Sequence, residues 1–311
     1  MAPRIAVVGS ANTDLITFGD AFPRAGETIF GQNFDLGFGG KGANQAIAAR
    51  LCGAEVLVVA RVGNDLFGEA TIRNFASFGV DTTHVCVLQG VSTGVAPIFV
   101  EPSGQNRIIV VKGANDRLLP ADVDAAAVQL RSVDTIILQF EIPLATIYHT
   151  VRLARANNIR CIVNPAPALP ADLAQLTAAD YFIPNETEAE LITGHPVHTV
   201  EEAGACAKAL LQKGFRKVIL TLGARGALLA DAAGTVHVPP YTVTAVDTTG
   251  AGDAFIGSLA VFLAEGVAEK EAVARANLYA GLSTTRVGTQ KSFLKRADFE
   301  AEWARRGTQG R

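Results

Sequence analysis

Short apolar runs alternate with helix-like stretches along most of this chain of 311 residues. Apolar runs of strand length occupy residues 5–8, 56–60, 135–138, 161–163 and 218–222. Helical spacing of apolar residues marks positions 43–51, 67–78, 144–157, 200–212, 252–265 and 269–283. Such alternation predicts an α/β domain of three layers, with a mainly parallel sheet between two layers of helices. The positive mean hydropathy of the chain agrees with a parallel sheet covered on both faces, because the strands of such a sheet are continuously apolar.

Two regions break this alternation, residues 15–34 and 93–111. They contain short β-like pieces with no helix between them, at residues 16–18, 28–30, 95–100 and 108–111. We expect a small second β-sheet inserted into the α/β frame, serving as a lid or as an interface. Two ordinary hairpins are the alternative. No repeat, linker or low-complexity segment is visible, so residues 1–311 are expected to form one domain with this insertion.

Composition and charge exclude several classes of protein. The net charge is −3 without clustered Lys and Arg, so neither nucleic acid nor an anionic membrane is an expected partner. The longest apolar stretch, residues 254–264, is shorter than the roughly 18 residues that a membrane span needs. The first apolar run is too short for a signal peptide, and a cytoplasmic location is expected. The cysteines lie far apart without a CxxC pair and are expected to be reduced, buried thiols: Cys52, Cys86, Cys161 and Cys206.

The most informative segment reads Asp-Thr-Thr-Gly-Ala-Gly-Asp from position 247, after a strand-like run at residues 241–246. Ligands of open α/β folds bind beyond the carboxyl ends of strands, where such segments lie. Gly250 and Gly252 allow a ligand to approach the backbone, and the first amides of the following helix would face an anion. Asp253 would repel that anion unless it had a task, such as accepting a proton from an attacking hydroxyl. Capping of the helix by Asp253 is the alternative.

Polar groups also follow other strands. Residues 39–45 read Gly-Gly-Lys-Gly-Ala-Asn-Gln, a glycine-rich turn that opens a helix without the spacing of a P-loop. Asn12 and Asp14 have alternate spacing, so in an extended segment both side chains face the same side and suit hydroxyl recognition. Glu141 interrupts the apolar run after residues 135–138. A tight turn without a ligand and Asx-turn chemistry remain alternatives for the first two segments.

Two later segments are candidates for nucleotide and metal binding. Asn185 and Glu188 lie one helical turn apart and carry oxygen ligands of the kind that Mg²⁺ prefers, often through water. An N-cap followed by an acidic first turn explains the same pattern. Residues 221–226 read Thr-Leu-Gly-Ala-Arg-Gly at the end of a strand, where they would hold a nucleotide or form a hairpin turn.

Taken together, these segments resemble the ribokinase branch of the PfkB carbohydrate kinase family over about residues 4–292. The stretches 39–45 and 247–253 are highly specific, and residues 92–96, 113–115 and 164–168 extend the resemblance. The resemblance implies a ribokinase-like α/β/α sandwich whose inserted β-sheet covers the sugar and forms a homodimer. It also implies ATP-dependent phosphorylation of D-ribose at the 5-hydroxyl.

The same resemblance implies roles for single residues. Asp253 would be the catalytic base, and the amides of Gly250, Ala251 and Gly252 would form the anion hole. The sugar would contact Asn12, Asp14, Gly40, Lys41, Asn44, Glu141 and Asp253. The nucleotide would contact Asn185, Thr221, Gly223, Arg225, Gly226, Gly252 and Asn277, with Mg²⁺ near Asn185 and Glu188.

Activation by K⁺ is a further implication of the resemblance. The cation would take side-chain oxygens from Asp247 and Ser292 and carbonyls from Thr249, Ser283, Arg286 and Gly288. One departure falls here: Thr289 stands where ribokinases usually carry Ala, and no Pro follows Ser292.

The acceptor has alternatives within the family: deoxyribose, fructose, a keto-deoxy sugar acid or a nucleoside. The complete segment at residues 39–45 favours ribose. A non-catalytic sugar or nucleotide sensor is the alternative of another class. Loss of Asp253 or of the glycines before it would mark such a sensor, and all of them are present.

Overall fold

A computed structural model describes residues 2–103 and 105–306 of the chain. Residue 104 of the predicted insertion, and residues 1 and 307–311 of the predicted domain, lie outside this part. The strands are β1 Arg4–Val8, β2 Asn12–Phe18, β3 Asn33–Gly39, β4 Glu55–Gly63, β5 Asp81–Leu88, β6 Gly94–Val100, β7 Asn106–Ile108, β8 Thr135–Gln139, β9 Arg160–Asn164, β10 Tyr181–Phe182, β11 Val218–Thr221, β12 Ala227–Asp231 and β13 Gly234–Val238. The helices are α1 Lys41–Leu51, α2 Leu66–Ser77, α3 Pro120–Ala125, α4 Ala127–Leu130, α5 Leu144–Ala156, α6 Glu186–Thr193, α7 Val200–Gln212, α8 Ala251–Ala264, α9 Glu269–Ser283 and α10 Arg296–Arg306.

The central sheet has the strand order β13-β12-β11-β10-β9-β8-β1-β4-β5. Its pairs are parallel from β5 to β11, while β12 and β13 join antiparallel. Along β1, Ile5 and Val7 face one core cluster while Ala6 and Val8 face the other. This alternation explains the continuous apolar runs of the sequence, because both faces of the sheet are covered. The predicted three-layer α/β fold is confirmed.

Each face of the sheet is covered by its own set of helices. Helices α1, α8, α9 and α10 contribute buried residues to one cluster, and α3, α5, α6 and α7 contribute to the other. Helix α8 is buried around most of its circumference, which explains its nearly uniform apolar sequence. None of the helices in the described ranges combines the length and apolar character that crossing a bilayer requires.

A second sheet has the strand order β3-β2-β6-β7. The predicted inserted sheet therefore exists, but its strands differ from the expectation. Residues 28–30 form no strand, and the last strand is Asn106–Ile108, with Val111 making only an isolated bridge to Val95. Strand β2 starts at Asn12 and β3 ends at Gly39, so this sheet begins and ends beside the glycine-rich turn that opens α1.

Two other expectations were wrong. Residues 241–246 form no strand but an irregular segment. At its end, the amides of Val246 and of the following Asp247 both donate to the Thr284 carbonyl.

Cys86 is exposed rather than buried, because it lies on β5, the edge strand of the central sheet. The other cysteines, Cys52, Cys161 and Cys206, are buried as expected.

Candidate active site

Asp253 lies in the first turn of α8 with 6% of its surface exposed. Its Oδ2 accepts a hydrogen bond from Asn44 Nδ2 at 2.9 Å, and its Oδ1 accepts one from Gln45 Nε2 at 2.9 Å. Both donors stand on α1, which packs against α8. The carboxylate is therefore held by side chains of a neighbouring helix. It does not cap α8, whose N-cap is Gly250 without a side-chain hydrogen bond, so the capping alternative is removed.

The start of α8 offers backbone amides to an anion. Gly250 has a φ of 78°, a left-handed conformation that glycine adopts without strain, and this turn directs the chain into the helix. A Cβ placed on Gly252 would meet nothing within 4 Å, so the space beside this amide is open. The first amides of a helix lack partners within the helix and carry its positive dipole end. The turn can thus receive a negatively charged group next to Asp253.

Charged side chains from α1, β2 and the turn after β8 lie near Asp253: Lys41, Asp14 and Glu141. Glu141 Oε2 accepts hydrogen bonds from Ser10 Oγ at 2.6 Å and from the Lys41 amide at 2.9 Å. Burial disfavours the charged form of Lys41, but the carboxylates of Asp253, Glu141 and Glu188 outweigh it and raise the pKa of the ammonium. The pKa of Asp14 is raised to about 6, first by burial and then by the negative charges of Glu141 and Asp253.

The amide of Asn12 is oriented by a residue that the sequence analysis did not assign to the site. Asn115 Nδ2 donates to Asn12 Oδ1 at 2.7 Å, while Asn115 Oδ1 accepts from the Ala11 amide at 2.9 Å. Asn12 therefore keeps its amide nitrogen available to a ligand. A side chain at Gly94 would collide with both asparagines, and one at Gly39 would collide with the Asp14 carboxylate. These glycines are required by close packing.

One cavity of about 160 Å³ brings Asp253 together with Lys41, the turn at Gly250 and Gly252, and the predicted nucleotide and metal residues Asn185, Glu188 and Thr221. It is lined by Lys41, Asn164, Ala166, Ile183, Asn185, Glu188, Thr221, Gly250, Gly252, Asp253 and Ile256. Asn185 and Glu188 form a reciprocal capping box at the start of α6, so the helix-capping interpretation of this pair holds. Burial is the main cause that raises the pKa of Glu188, while a hydrogen bond from Asn185 and the charge of Lys41 oppose the rise.

The other residues predicted to contact the nucleotide form a second group. Asn277 Nδ2 donates to the carbonyls of Val238 and Pro239, at 3.1 and 3.3 Å. Gly226, with a φ of 88°, packs against the same segment. Arg225 forms an ion pair with Glu186 of α6 at 2.6 Å, and Gly223 lies beside the same glutamate. Of this group only Thr221 lines the cavity, and it forms a parallel bridge with Asn185, which also lines it.

The residues predicted to hold a monovalent cation lie on adjoining segments. Asp247 Oδ1 accepts from the Thr249 amide and Oδ2 from the Gly288 amide, both at 2.9 Å. Burial acts against the charged carboxylate, yet these hydrogen bonds together lower the pKa of Asp247. Ser292 is buried and donates to the Thr289 carbonyl at 2.8 Å. Ser283 is also buried, at the end of α9, whereas Arg286 is exposed.

Comparison with known proteins decides the family. Residues 2–296 match the model of the pfkB family carbohydrate kinases. The chain belongs to the PfkB family. This kinase is 44% identical over 290 residues to a deoxyribokinase of Salmonella typhi, covering 93% of this chain and 95% of that protein. It is 40% identical over 303 residues to a ribokinase of Mus musculus, covering 96% of this chain and 94% of that one.

A solved structure supports the same placement. The ribokinase of Arabidopsis thaliana complexed with ribose and ATP superposes on this kinase with a TM-score of 0.91 at 30% identity. The match covers 97% of this chain and 98% of that chain. The predicted family is thus confirmed, and the protein is a sugar kinase of the ribokinase type.

Proposed function

We propose that this kinase transfers the γ-phosphoryl group of ATP to the 5-hydroxyl of D-ribose, with Asp253 as the base. The observation that carries the proposal is a buried carboxylate at the amino end of a helix, beside an open backbone turn and the partly buried ammonium group of Lys41. Phosphoryl transfer depends mainly on positioning and charge stabilisation, and this arrangement supplies both.

Each part of the site has a task in this reaction. The amides of Gly250, Ala251 and Gly252 would neutralise charge on the transferring phosphoryl group. Asp253 would orient the 5-hydroxyl and accept its proton as the oxygen attacks in line. Lys41 would offset the negative charge that collects between the carboxylates and the phosphates. The sugar hydroxyls would be bound by Asn12, Asp14, Gly40, Lys41, Asn44 and Glu141.

The second candidate acceptor is 2-deoxyribose, which is favoured by the similarity to the deoxyribokinase. The polar character of the sugar side favours ribose. Asn12 is 4% exposed with its carbonyl engaged by Asn115, so its amide nitrogen is the group that would donate to a sugar hydroxyl. A buried polar group left without a partner costs about 1–3 kcal/mol, which corresponds to about ten- to hundredfold in preference when that partner is missing from the sugar.

The nucleotide would lie along residues Asn185, Thr221, Gly223, Arg225, Gly226 and Asn277. The solved ribokinase with bound ATP supports ATP as the donor. Asn185 and Glu188 line the cavity and offer oxygen atoms, which fits Mg²⁺ held through its waters. Among residues 2–103 and 105–306, no three His, Cys, Asp or Glu side chains cluster as metal ligands. The phosphates of the nucleotide would therefore supply most of the ligands of the metal.

We propose K⁺ as an activating ion at the segments around Asp247 and Gly288. Asp247 is held by amides from both segments, and its lowered pKa keeps the carboxylate charged. The remaining ligands would be Ser292 and the carbonyls of Thr249, Ser283, Arg286 and Gly288. A cation at this position would hold these segments together beside Gly250.

We also propose that the second sheet covers the sugar and pairs two subunits into a homodimer. Its strands and loops expose large apolar side chains, of which Phe30 is 99%, Ile109 64% and Phe34 58% exposed. Exposed apolar surface of this kind is typical of an interface between proteins.

One assay tests the proposal: ATP-dependent phosphorylation of ribose, 2-deoxyribose, fructose, 2-keto-3-deoxygluconate and adenosine, each with K⁺ and with Na⁺. We expect ribose to have the highest kcat/KM, and K⁺ to raise the rate. If 2-deoxyribose instead had the highest kcat/KM, the proposed acceptor would be wrong, while the proposed mechanism would be unaffected. Equal rates with both ions would refute K⁺ activation. Absence of product from every sugar would instead support a non-catalytic sensor.

A further inference from the structure

A chain of three side-chain amides leads from the surface of α2 to the carboxylate of Asp253. Asn74 Nδ2 donates to Gln290 Oε1 at 2.8 Å, and Gln290 Nε2 donates to Asn44 Oδ1 at 3.0 Å. Asn44 Nδ2 then donates to Asp253 Oδ2 at 2.9 Å. We call Asn74, Gln290 and Asn44 the amide chain. It joins α2, the short helical turn Gln290–Ser292 and α1, and its two inner members are each only 6% exposed.

The direction of every bond in the amide chain follows from the carboxylate at its end. An ionised carboxylate only accepts hydrogen bonds, so Asn44 must turn its NH₂ group toward Asp253. The carbonyl of Asn44 then faces away and needs a donor, which Gln290 supplies. The carbonyl of Gln290 in turn needs the NH₂ group of Asn74. Reversal of any one amide would leave two acceptors facing each other in a buried site, where an unmade hydrogen bond is costly.

The other oxygen of Asp253 is held in a similar way, by side chains that are more deeply buried. Gln45 Nε2 donates to Oδ1, and Gln139 Nε2 donates to Gln45 Oε1 at 2.7 Å. Gln45 and Gln139 are completely buried within the central sheet and α1. The arm through Gln290 is therefore the one that reaches the protein surface, and it passes through the segment 288–292.

We infer that Gln290 and Asn74 are positioning residues for phosphoryl transfer, which orient Asp253 through Asn44. This inference rests on the proposed role of Asp253 as the base. Neither residue lines the cavity that holds Asp253. Their effect is to keep the Asn44 donor directed at Oδ2 and thereby to fix the plane of the carboxylate. A base that is displaced by a fraction of an ångström or rotated loses alignment with the attacking hydroxyl.

The test is a substitution at the outer end of the amide chain, far from the substrates. Asn74→Asp places a carboxylate at the outer end of the amide chain, opposite the carboxylate of Asp253 at the inner end. Because both ends then only accept hydrogen bonds, two acceptor oxygens must face each other somewhere along the chain. We expect the single-turnover rate of phosphoryl transfer, with ribose and ATP saturating, to fall about tenfold or more. Asn74→Ala removes the outer bond without reversing any amide, and we expect a loss of no more than about threefold. KM for ATP stays within about twofold in both variants.

Asn64→Asp is the matched control. Asn64 Nδ2 also donates to a glutamine carbonyl, Gln89 Oε1 at 2.9 Å, but this pair is exposed on the surface. The control introduces the same charge near α2 and should leave the rate unchanged. If Asn74→Asp and Asn74→Ala had equal rates, the inference would be overturned. The direction of the hydrogen bonds would then have no effect on the rate, since only the aspartate forces an amide of the chain to reverse. The melting temperatures of all variants are compared in parallel.

Gln290→Glu tests the middle of the amide chain with a side chain of the same shape. Glutamate keeps the acceptor for Asn74 and removes the donor to Asn44, so a rate loss at least as large as that of Asn74→Asp is expected. Asp253→Ala is measured alongside. If Asp253→Ala stays active, the proposed base is wrong. If it is inactive while Gln290→Glu and Asn74→Asp keep the parent rate, the base stands and the positioning role is refuted.

Discussion

Four ionisable side chains, Asp14, Lys41, Glu141 and Asp253, share a small buried region around the proposed sugar site. Three are acidic and one is basic. Burial and the neighbouring carboxylates both raise the pKa of Asp14, whereas at Lys41 the carboxylates outweigh the effect of burial and raise the pKa of the ammonium. Lys41 is kept charged by the carboxylates, whereas Asp14 is pushed toward its neutral form. Such a cluster favours function over stability, since like charges are held together.

The first prediction concerns the proposed base. Asp253→Ala is expected to lower kcat by about 10²–10⁴-fold, because general-base assistance is lost while the amide turn at Gly250 remains. Binding of ribose and ATP, measured by titration calorimetry, should persist. A variant with nearly normal turnover would show that another group takes the proton.

A second prediction follows from the raised pKa of Asp14, about 6 against an ordinary 3.8. Because the folded-state pKa lies above the unfolded one, the folded protein holds the proton more tightly. The ionised form therefore costs stability, increasingly so as the pH rises from about 4 to 6. Asn carries no such charge, so Asp14→Asn should raise the free energy of unfolding at pH 8 by about 1–3 kcal/mol.

Urea denaturation of Asp14→Asn and the parent protein at pH 8 and pH 4.5 measures this difference. The gain should shrink at pH 4.5, because Asp14 is then protonated in the folded protein and the penalty of its buried charge is largely avoided. A gain of equal size at both pH values would show that charge is not its cause. Weaker binding of ribose is expected in the same variant, because the proposed sugar site loses a hydroxyl acceptor.

At the scale of elements, the start of α8 is packed against the segment 288–292. A Cβ at Gly250 would collide with Cγ2 of Thr289, the residue that departs from the usual Ala. The extra methyl group thus lies against the backbone turn that is proposed to bind the phosphoryl group. Together with the bonds of Asp247 to Thr249 and Gly288, this contact makes the two segments one unit.

Paired substitutions test this contact. Gly250→Ala is expected to lower kcat strongly, because it adds a collision with Thr289 to the roughly 1–2 kcal/mol cost of a left-handed residue. Thr289→Ala alone should be tolerated. The double variant should recover part of the loss, since the collision is relieved and the backbone cost remains. Strict additivity of the two effects in kcat and in melting temperature would show that the methyl group and Gly250 do not interact.

At the scale of the whole molecule, the two sheets meet at the proposed sugar site. Strand β2 leaves the site at Asn12 and runs outward to Phe18, and β3 returns to Gly39 at the turn before α1. Movement of the second sheet would therefore move Asn12 and Asp14 directly. This connection gives a physical reason for coupling between sugar binding and closure.

Closure of the second sheet over the sugar predicts slow hydrolysis of ATP by water, which competes with the sugar hydroxyl as the attacking group. We expect ATP hydrolysis without sugar to be at least about 10²-fold slower than phosphorylation of ribose, because the site is completed only over a bound sugar. Release of ADP in a coupled assay, with and without ribose, measures the ratio. Rapid hydrolysis in the absence of sugar would contradict closure as the source of water exclusion.

The proposed dimer has its own test. Phe34 is 58% exposed on the edge strand β3, and Phe34→Asp should shift sedimentation from dimer to monomer by placing a charge in an apolar interface. Leu191→Asp is the control, because Leu191 is 71% exposed on α6, away from the second sheet. A parent protein that sediments as a monomer, or a dimer that survives in Phe34→Asp, would refute pairing through this face.

Local sequence was sufficient for the strands and helices that are long and strongly patterned. The runs at residues 5–8 and 135–138 and the helix at 144–157 agree closely with β1, β8 and α5. Short or half-exposed elements were missed, among them β3, β5, β13 and α10, because their apolar pattern is interrupted by polar residues that face solvent. Residues 241–246 have a strand-like sequence, but no neighbouring strand pairs with them in the described part of the chain.

By itself, the sequence determined the α/β class and the segments that build the site, because glycines, caps and apolar periodicity act between near neighbours. Only the tertiary structure decided which donors hold Asp253. Its partners lie 209 and 208 positions away in the chain, and Gln290 lies 246 positions from Asn44. Such contacts arise when α1, α8 and the segment 288–292 pack together, and packing over these separations leaves no periodic pattern in the sequence.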